Sequence, residues 1–279
     1  MLGSIIGDIV GSIYEFRNIN TKEFPFWGDE CMFTDDSVLA IATADWLLNK
    51  NYQESDSAYY YLKYAKRYPA PKGGYGSGFL NWVYKASNGD PAPPYNSCGN
   101  GSAMRVGPVG WAFDKESEVL EAAKASAECT HNHPEGIKGA QATALSIMLA
   151  RMGSSKEDIR EAIENRFGYN LSYTMDYLQR CYSWDGLKGD NGATCQGTVP
   201  EAVICALDAT DFEDAIRNAI SIGGDSDTLA CITGSIAEPL YGIPSDIYNK
   251  GLDYLSEEFQ QVVLAFEKKY GNGRLDTNI

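Results

Sequence analysis

Apolar residues recur at helical spacing along most of the chain. From Thr34 to Asn49, Val38, Leu39, Ala42, Trp46 and Leu47 share one period behind a threonine suited to cap the first turn, which predicts a helix. Ser55 to Arg67 reads as a second, stopped by Pro69. Ser117 to Cys129 carries a stripe of Val119, Leu120, Ala123 and Ala127. Gly136 to Met152 is rich in Ala, Leu and Ile and ends at Gly153, and Ser155 to Phe167 is amphipathic behind a capping serine. Val199 to Leu207 and Asp211 to Ile222 predict a helical hairpin. Thr228 to Leu240 is small and apolar nearly all round, the pattern of a buried central helix. Asp246 to Leu255 and Glu257 to Tyr270 complete the set. Convincing strand alternation is scarce, so the class is all-α.

Between these helices lie three glycine-rich stretches, Tyr68 to Gly78, Lys85 to Gly110 and Asp185 to Thr198. They read as loops, and loops of that length inside a compact fold tend to be functional. Linkers and repeats of solenoid length are missing, so residues 1–279 read as a single domain. A chain of this length can bury roughly three quarters of its unfolded surface without disulfides.

A formal charge of −15 changes the picture of partners. Such a field repels phosphate backbones and anionic membranes, which argues against general nucleic-acid binding. The seven cysteines (31, 98, 129, 181, 195, 205 and 231) are odd in number and show no CxxC spacing. They read as reduced, mostly buried thiols of a cytoplasmic protein without a zinc motif. Met1 to Val10 is interrupted by Gly3, Gly7 and Asp8 and does not read as a signal peptide, and no apolar run is long enough to span a membrane.

Two acidic helix starts are the candidate chemistry. Phe33-Thr34-Asp35-Asp36-Ser37 opens the first long helix, where by itself it would be a capping motif favoured by the helix dipole. Gly223-Gly224-Asp225-Ser226-Asp227-Thr228 repeats the arrangement before a helix that reads as buried, where unpaired carboxylates are costly. No lysine or arginine lies near either cluster in sequence. If the two starts meet, four carboxylates and two hydroxyls converge, and all-oxygen ligands suit Mg2+, Mn2+ or Ca2+ rather than zinc or copper. Two unrelated caps are the alternative.

Four further features bear on a ligand. Asn96-Ser97-Cys98-Gly99-Asn100-Gly101-Ser102 is either a backbone-amide nest for a phosphate or a surface turn. Arg105 fits a structural role better than a phosphate contact. Glu15, at the end of a small-residue stretch, is a solvated helix-end residue or a general acid or base, and Asp8 reads as structural. His131 and His133 have the wrong spacing for a zinc helix; one suits a ligand hydrogen bond and the other a cap or turn.

Taken in order, these segments resemble the ADP-ribosylglycohydrolase family. The resemblance runs through Gly7-Asp8 to Glu15, Phe33-Thr34-Asp35-Asp36 and Gly99-Asn100-Gly101-Ser102-Ala103-Met104-Arg105. It continues through Thr130-His131 with Gly139-Ala140, Gly224-Asp225-Ser226-Asp227-Thr228, and Ala237-Glu238-Pro239-Leu240-Tyr241-Gly242-Ile243-Pro244. It implies a compact orthogonal all-α bundle around a binuclear magnesium centre, with Mn2+ as a substitute. Thr34, Asp35 and Asp36 would form one ligand set, and Asp225, Asp227 and Thr228 the other. Ser97, Gly99, Asn100, Gly101 and Ser102 would hold the ADP-ribose phosphates, and His131 would lie against the ligand. Glu15 or Asp36 would move the proton. Ser226 stands where threonine is frequent and changes no ligand. The implied reaction is hydrolysis of the bond between ADP-ribose and a modified protein or small molecule, with arginine the default acceptor. A non-catalytic ADP-ribose-binding member, a metal-dependent phosphohydrolase and a plain helical interaction module are the alternatives.

Overall fold

The computed structural model describes residues 1–49, 56–187 and 189–271. Their α-helices are α1 (Leu2–Gly11), α2 (Asp35–Leu48), α3 (Ser57–Arg67), α4 (Ser77–Ser87), α5 (Gly101–Met104), α6 (Gly107–Ala112), α7 (Glu116–Glu128) and α8 (Pro134–Arg151). They continue as α9 (Lys156–Phe167), α10 (Met175–Cys181), α11 (Cys195–Leu207), α12 (Phe212–Ser221), α13 (Ser226–Tyr241), α14 (Ser245–Asp253) and α15 (Glu257–Tyr270). No strand occurs among the described residues, only two isolated bridges, Thr34 with Lys72 and Gly99 with Thr194. The fold is all-α.

Every helix expected from periodicity is present, with ends shifted by a few residues. Thr34, Ser155 and Asp211 cap α2, α9 and α12 with their side chains. Helix α11 starts four residues earlier than expected and carries Pro200 inside it. The expected Ser55 start of α3 lies outside the described residues. Helices α1, α4, α5, α6 and α10 were not expected, and α4 to α6 cut into stretches that read as loops.

Helix α1 is buried along its whole length and lies against α13, whose residues 226–238 are likewise buried. Glycines let the two backbones touch. A Cβ at Gly3 would fall 2.3 Å from the Gly234 carbonyl oxygen, one at Gly7 2.0 Å from that of Ala230, and one at Gly11 2.6 Å from Asp227 Cα. The glycines that obscured α1 in the sequence are therefore its packing face. Helices α2, α8, α11 and α12 surround this pair, and α7 and α9 cover α8. One hydrophobic cluster runs from Leu2 and Ile5 in α1 through Leu39, Leu145, Val203 and Ile216 to Phe266 in α15. No helix among the described residues is long and apolar enough to cross a membrane. All seven cysteines are free, and Cys31, Cys195, Cys205 and Cys231 are buried.

Candidate metal centre and ligand cleft

The close contact of α1 with α13 sets the spacing of the acidic residues. Asp8, on the second turn of α1, is fully buried and organises the start of α2. Its carboxylate accepts from Thr34 N (2.9 Å), Thr34 Oγ1 (2.6 Å), Ser37 N (3.2 Å) and the Ser37 hydroxyl. Burial pushes the Asp8 carboxyl up to about 6 despite these bonds. The role is structural, as expected. Thr34 caps through the same hydroxyl, which accepts from Asp36 N at 3.2 Å.

Two consecutive left-handed residues, Gly223 (φ 76°) and Gly224 (φ 71°), turn the chain into α13. That conformation is easy only for glycine. The turn aims Asp225 and Asp227 back at α2. Asp35, Asp36, Asp225, Asp227 and Thr228 then line one cleft of about 430 Å3, together with Glu15. Carboxylate oxygens of Glu15, Asp225 and Asp227 all lie within 4.8 Å of one another. The two acidic helix starts therefore meet, in contrast to two unrelated caps.

Electrostatics in the cleft are unfavourable for bare carboxylates. Burial first, then the charges of Asp227, Asp8 and Asp35, hold Asp36 well above the usual carboxylate range. Burial, followed by Asp225 and Asp8, does the same to Asp227, and burial with Asp227 and Asp8 raises Asp35. Asp225 reaches about 6, moderated by a 2.7 Å hydrogen bond from Asn100 Nδ2. Glu15, half-buried, is pushed up to about 8 by burial and by Asp227 and Asp8, against a lowering by Lys72.

Asp36 Oδ2 and Asp227 Oδ1 are buried and have no hydrogen-bond partner among the described residues. An orphaned carboxylate oxygen costs more than an orphaned neutral group. A divalent cation answers both problems, since it neutralises charge and fills the open lone pairs. Opposite ligands of a magnesium ion sit roughly 4 Å apart, so the spread of the Glu15, Asp225 and Asp227 oxygens is of the right size. The donor set is oxygen throughout, which suits Mg2+ or Mn2+.

Of the residues expected at the ligand, Ser97, Gly99, Asn100, Gly101 and His131 line the cleft. Their detail differs from a simple amide nest. Gly99 N donates to Ser97 Oγ (3.1 Å) and Asn100 N to the Ala193 carbonyl (3.0 Å), so two of the loop amides are already engaged. The Asn100 side chain serves Asp225. Ser102 is buried outside the cleft lining, its hydroxyl donating to the Gly136 carbonyl at 2.7 Å. Thr34 is likewise absent from the lining.

His131 is buried, with Nδ1 2.8 Å from Thr130 Oγ1, and burial with the nearby Arg105 charge keeps it neutral. A Cβ at Gly101 would lie 3.1 Å from His131 Nε2, so this ring edge borders the loop. His133 accepts from Glu135 N at 3.1 Å as the cap of α8, the cap role expected for one of the two histidines. Among the described residues Arg105 pairs with no carboxylate. Its Nη2 donates to the Ser126 carbonyl (2.8 Å) and Thr130 Oγ1 (2.9 Å), and its guanidinium lies 4.1 Å from the Tyr61 ring centroid. It thus supports the C-terminal end of α7, where the helix dipole favours a cation.

Several lining residues gave no warning in the sequence. Gly73, with φ 75°, abuts Glu15: a Cβ there would lie 2.9 Å from Glu15 Oε2. Tyr75, Tyr95 and Trp184 also line the cleft, and Trp184 lies parallel to the exposed Phe16 at 6.3 Å between ring centroids. The only signal for Gly73 and Tyr75 was the length and glycine content of the Tyr68 to Gly78 stretch.

This arrangement has relatives. The sequence profile of the ADP-ribosylglycohydrolases matches residues 1–273. Human ADP-ribosylhydrolase ARH3 is 28% identical over 96% of this chain and 89% of its own. The ADP-ribosylarginine hydrolase Tri1 of Pseudomonas putida is 26% identical over 87% of this chain and 70% of its own. Among solved structures, a chain described as an ADP-ribosylglycohydrolase-related protein complex superposes with a TM-score of 0.68. It is 24% identical and covers 96% of this chain and 97% of the other, which shows the fold. With a profile match across nearly its whole length, the chain belongs to the ADP-ribosylglycohydrolase family.

Proposed function

We propose that residues 1–279 form one domain that hydrolyses the glycosidic bond between ADP-ribose and a modified acceptor, with two magnesium ions bound in the cleft and Mn2+ as a substitute. The observation that carries this reading is the meeting of Glu15, Asp225 and Asp227 within 4.8 Å, in a cleft that also receives Asp35 and Asp36. Asp35 and Asp36, with the Thr34 hydroxyl behind them, would hold one ion, and Asp225, Asp227 and Thr228 the other. Ions bound there supply positive charge and Lewis acidity at the ribose hydroxyls and at a water.

The remaining work falls to the chain. Ser97, Gly101 and His131 border the place for the diphosphate, and holding that remote group fixes the scissile bond against Glu15. Positive charge develops on the ribose as the bond breaks, and the carboxylates of the cleft stabilise it. Glu15 is half-buried and lines the cleft beside Asp225 and Asp227, so we assign proton transfer to it and a cation-holding role to Asp36.

The names of the relatives favour an ADP-ribosylated substrate, and the Pseudomonas protein's name favours arginine as the first acceptor to try. Free thiols suit a reducing compartment such as the cytoplasm. The test is incubation with Mg2+ and ADP-ribosylated arginine, serine and nucleic-acid-base substrates and O-acetyl-ADP-ribose, with Asp35→Ala in parallel. Free, intact ADP-ribose from the native protein and none from the variant is the expected result. Release of AMP or phosphate would point instead to a phosphohydrolase, and undiminished cleavage by Asp35→Ala would remove the metal mechanism.

A further inference from the structure

Three side chains in series connect the core to the ligand cleft, and the first of them orders the hydrogens of the rest. Arg105 is fully buried and always charged, so its nitrogens can only donate. Its Nη2 donates to Thr130 Oγ1 at 2.9 Å, and that oxygen lies 2.8 Å from His131 Nδ1. Thr130 has no exposure, so solvent does not compete for its hydrogen. Which nitrogen of an imidazole carries the proton is set by the bond its other nitrogen makes.

Two arrangements satisfy these distances. In one, Thr130 donates to a bare Nδ1, and the ring carries its proton on Nε2. In the other, Nδ1–H donates to Thr130 Oγ1, which turns its own hydrogen to the Tyr95 phenol or to Cys129 Sγ, 4.0 Å away. The field of Arg105 decides between them. Among the described residues its Nε and Nη1 make no hydrogen bond, so no acceptor there offsets the charge. In a buried setting such a charge attracts a lone pair and repels an N–H. Nδ1 is one hydroxyl away from the guanidinium, and Arg105 is the charge that bears on this ring. Nδ1 therefore keeps its lone pair.

Nε2 is also where a donor is needed. Gly99 N and Asn100 N are engaged within the protein, so the loop has fewer amides to offer. Glycines keep the nitrogen uncovered: a Cβ at Gly101 would lie 3.1 Å from Nε2, and one at Gly99 3.6 Å. Diphosphate oxygens only accept hydrogen bonds, and a lone pair at Nε2 would repel them. We propose that Arg105 and Thr130 are positioning residues that hold His131 as its Nε2–H tautomer, an uncharged donor for the diphosphate. The identity of that ligand rests on the function proposed above; the tautomer does not.

The test is a nitrogen-15 spectrum of the imidazoles in the whole protein, in Mg2+, where only two histidines need assignment. His131 should show a bare Nδ1 and a protonated Nε2. Thr130→Val keeps the shape and removes the hydroxyl. It should move the Nδ1 resonance to that of a nitrogen accepting no bond. By calorimetry it should weaken ADP-ribose binding about tenfold, the worth of one hydrogen bond to a charged group. Thr130→Ser should restore both. A proton on Nδ1 in the native protein would overturn the proposal, as would an unchanged resonance and affinity in Thr130→Val. Loss that Thr130→Ser does not rescue would leave Thr130 a packing residue and overturn it too. The native spectrum and Thr130→Ser decide the matter if Thr130→Val does not fold. ADP-ribose bound but no substrate cleaved would sink the hydrolase reading and keep this one. No binding of ADP-ribose at all would overturn the diphosphate role, whichever nitrogen carries the proton.

Discussion

Asn18 grips Gly224 with both ends of its amide: Nδ2 donates to the Gly224 carbonyl at 2.8 Å, and Oδ1 accepts from Gly224 N at 2.9 Å. The same Nδ2 reaches the Tyr14 and Glu15 carbonyls at 2.7 and 3.1 Å. One side chain therefore ties the turn bearing Glu15 to the turn that launches Asp225 and Asp227.

Asn18→Ala should break that tie while leaving every carboxylate in place. With each net hydrogen bond worth about 1 kcal/mol, a loss of about 2 kcal/mol in stability is expected from urea unfolding. Hydrolysis should fall at least tenfold because Glu15 and Asp227 lose their common reference. An unchanged rate would show that the two turns are held by other contacts.

Asp227→Asn should separate folding from metal binding. Removing one of the mutually repelling carboxylates should raise the melting temperature of chelator-treated protein. Magnesium at a hundredfold excess over its Kd stabilises by about 2.7 kcal/mol per site, and that gain should shrink in the variant together with activity. Equal magnesium-induced shifts in the two proteins would exclude Asp227 as a ligand.

The metal-free protein should lose stability as pH rises. Asp8 and Asp225 titrate near 6, Glu15 near 8, and Asp35, Asp36 and Asp227 lie well above the usual range. The folded state thus holds protons that the unfolded state has released, and folding weakens as pH climbs from the ordinary carboxylate range through these values. His131, neutral when folded, acts in the opposite sense only below about 6.5, its ordinary value. Melting temperatures in chelator between pH 6.5 and 8.5 should therefore fall, and magnesium should flatten the slope. A flat profile without metal would contradict the crowding of charge described here.

Gly7→Ala puts a methyl group 2.0 Å from the Ala230 carbonyl oxygen. Backbone cannot yield as a side-chain end can, so destabilisation of about 3 kcal/mol, typical of severe overpacking, is expected in urea unfolding. A variant within 0.5 kcal/mol of the parent, a difference of the size usual for surface changes, would mean that α1 and α13 can part easily.

Much of this architecture could be read from the residues, and the failures have physical causes. Helices with an apolar stripe and a capping side chain, such as α9 behind Ser155, were legible to within a residue or two. Helix α1 was not, because glycines at positions 3, 7 and 11 lower helix propensity and signal a loop until the partner backbone is known. Short helices such as α5 hide in glycine-rich sequence for the same reason. Within the site, charge crowding was legible from composition: two acidic helix starts without a nearby base imply a cation. What stayed hidden was the use of each hydrogen bond. The Asn100 side chain turns to Asp225, Ser102 turns to Gly136, and Asn18 carries a tertiary clamp that no local pattern announces.

Main-chain contact between α1 and α13 also bears on which ion the proposed centre would accept. Asp227 and Thr228 ride on α13, and Asp8 of α1 holds the start of α2 that carries Asp35 and Asp36. A seat between those helix starts therefore cannot dilate by rotating side chains alone. Calcium needs oxygen distances of about 2.3–2.6 Å against about 2.0–2.1 Å for magnesium, and the wider shell would have to be bought by prising helices apart. On the proposed function, glycines without side chains would thus limit the ionic radius the seat accepts, and calorimetry should rank magnesium and manganese above calcium.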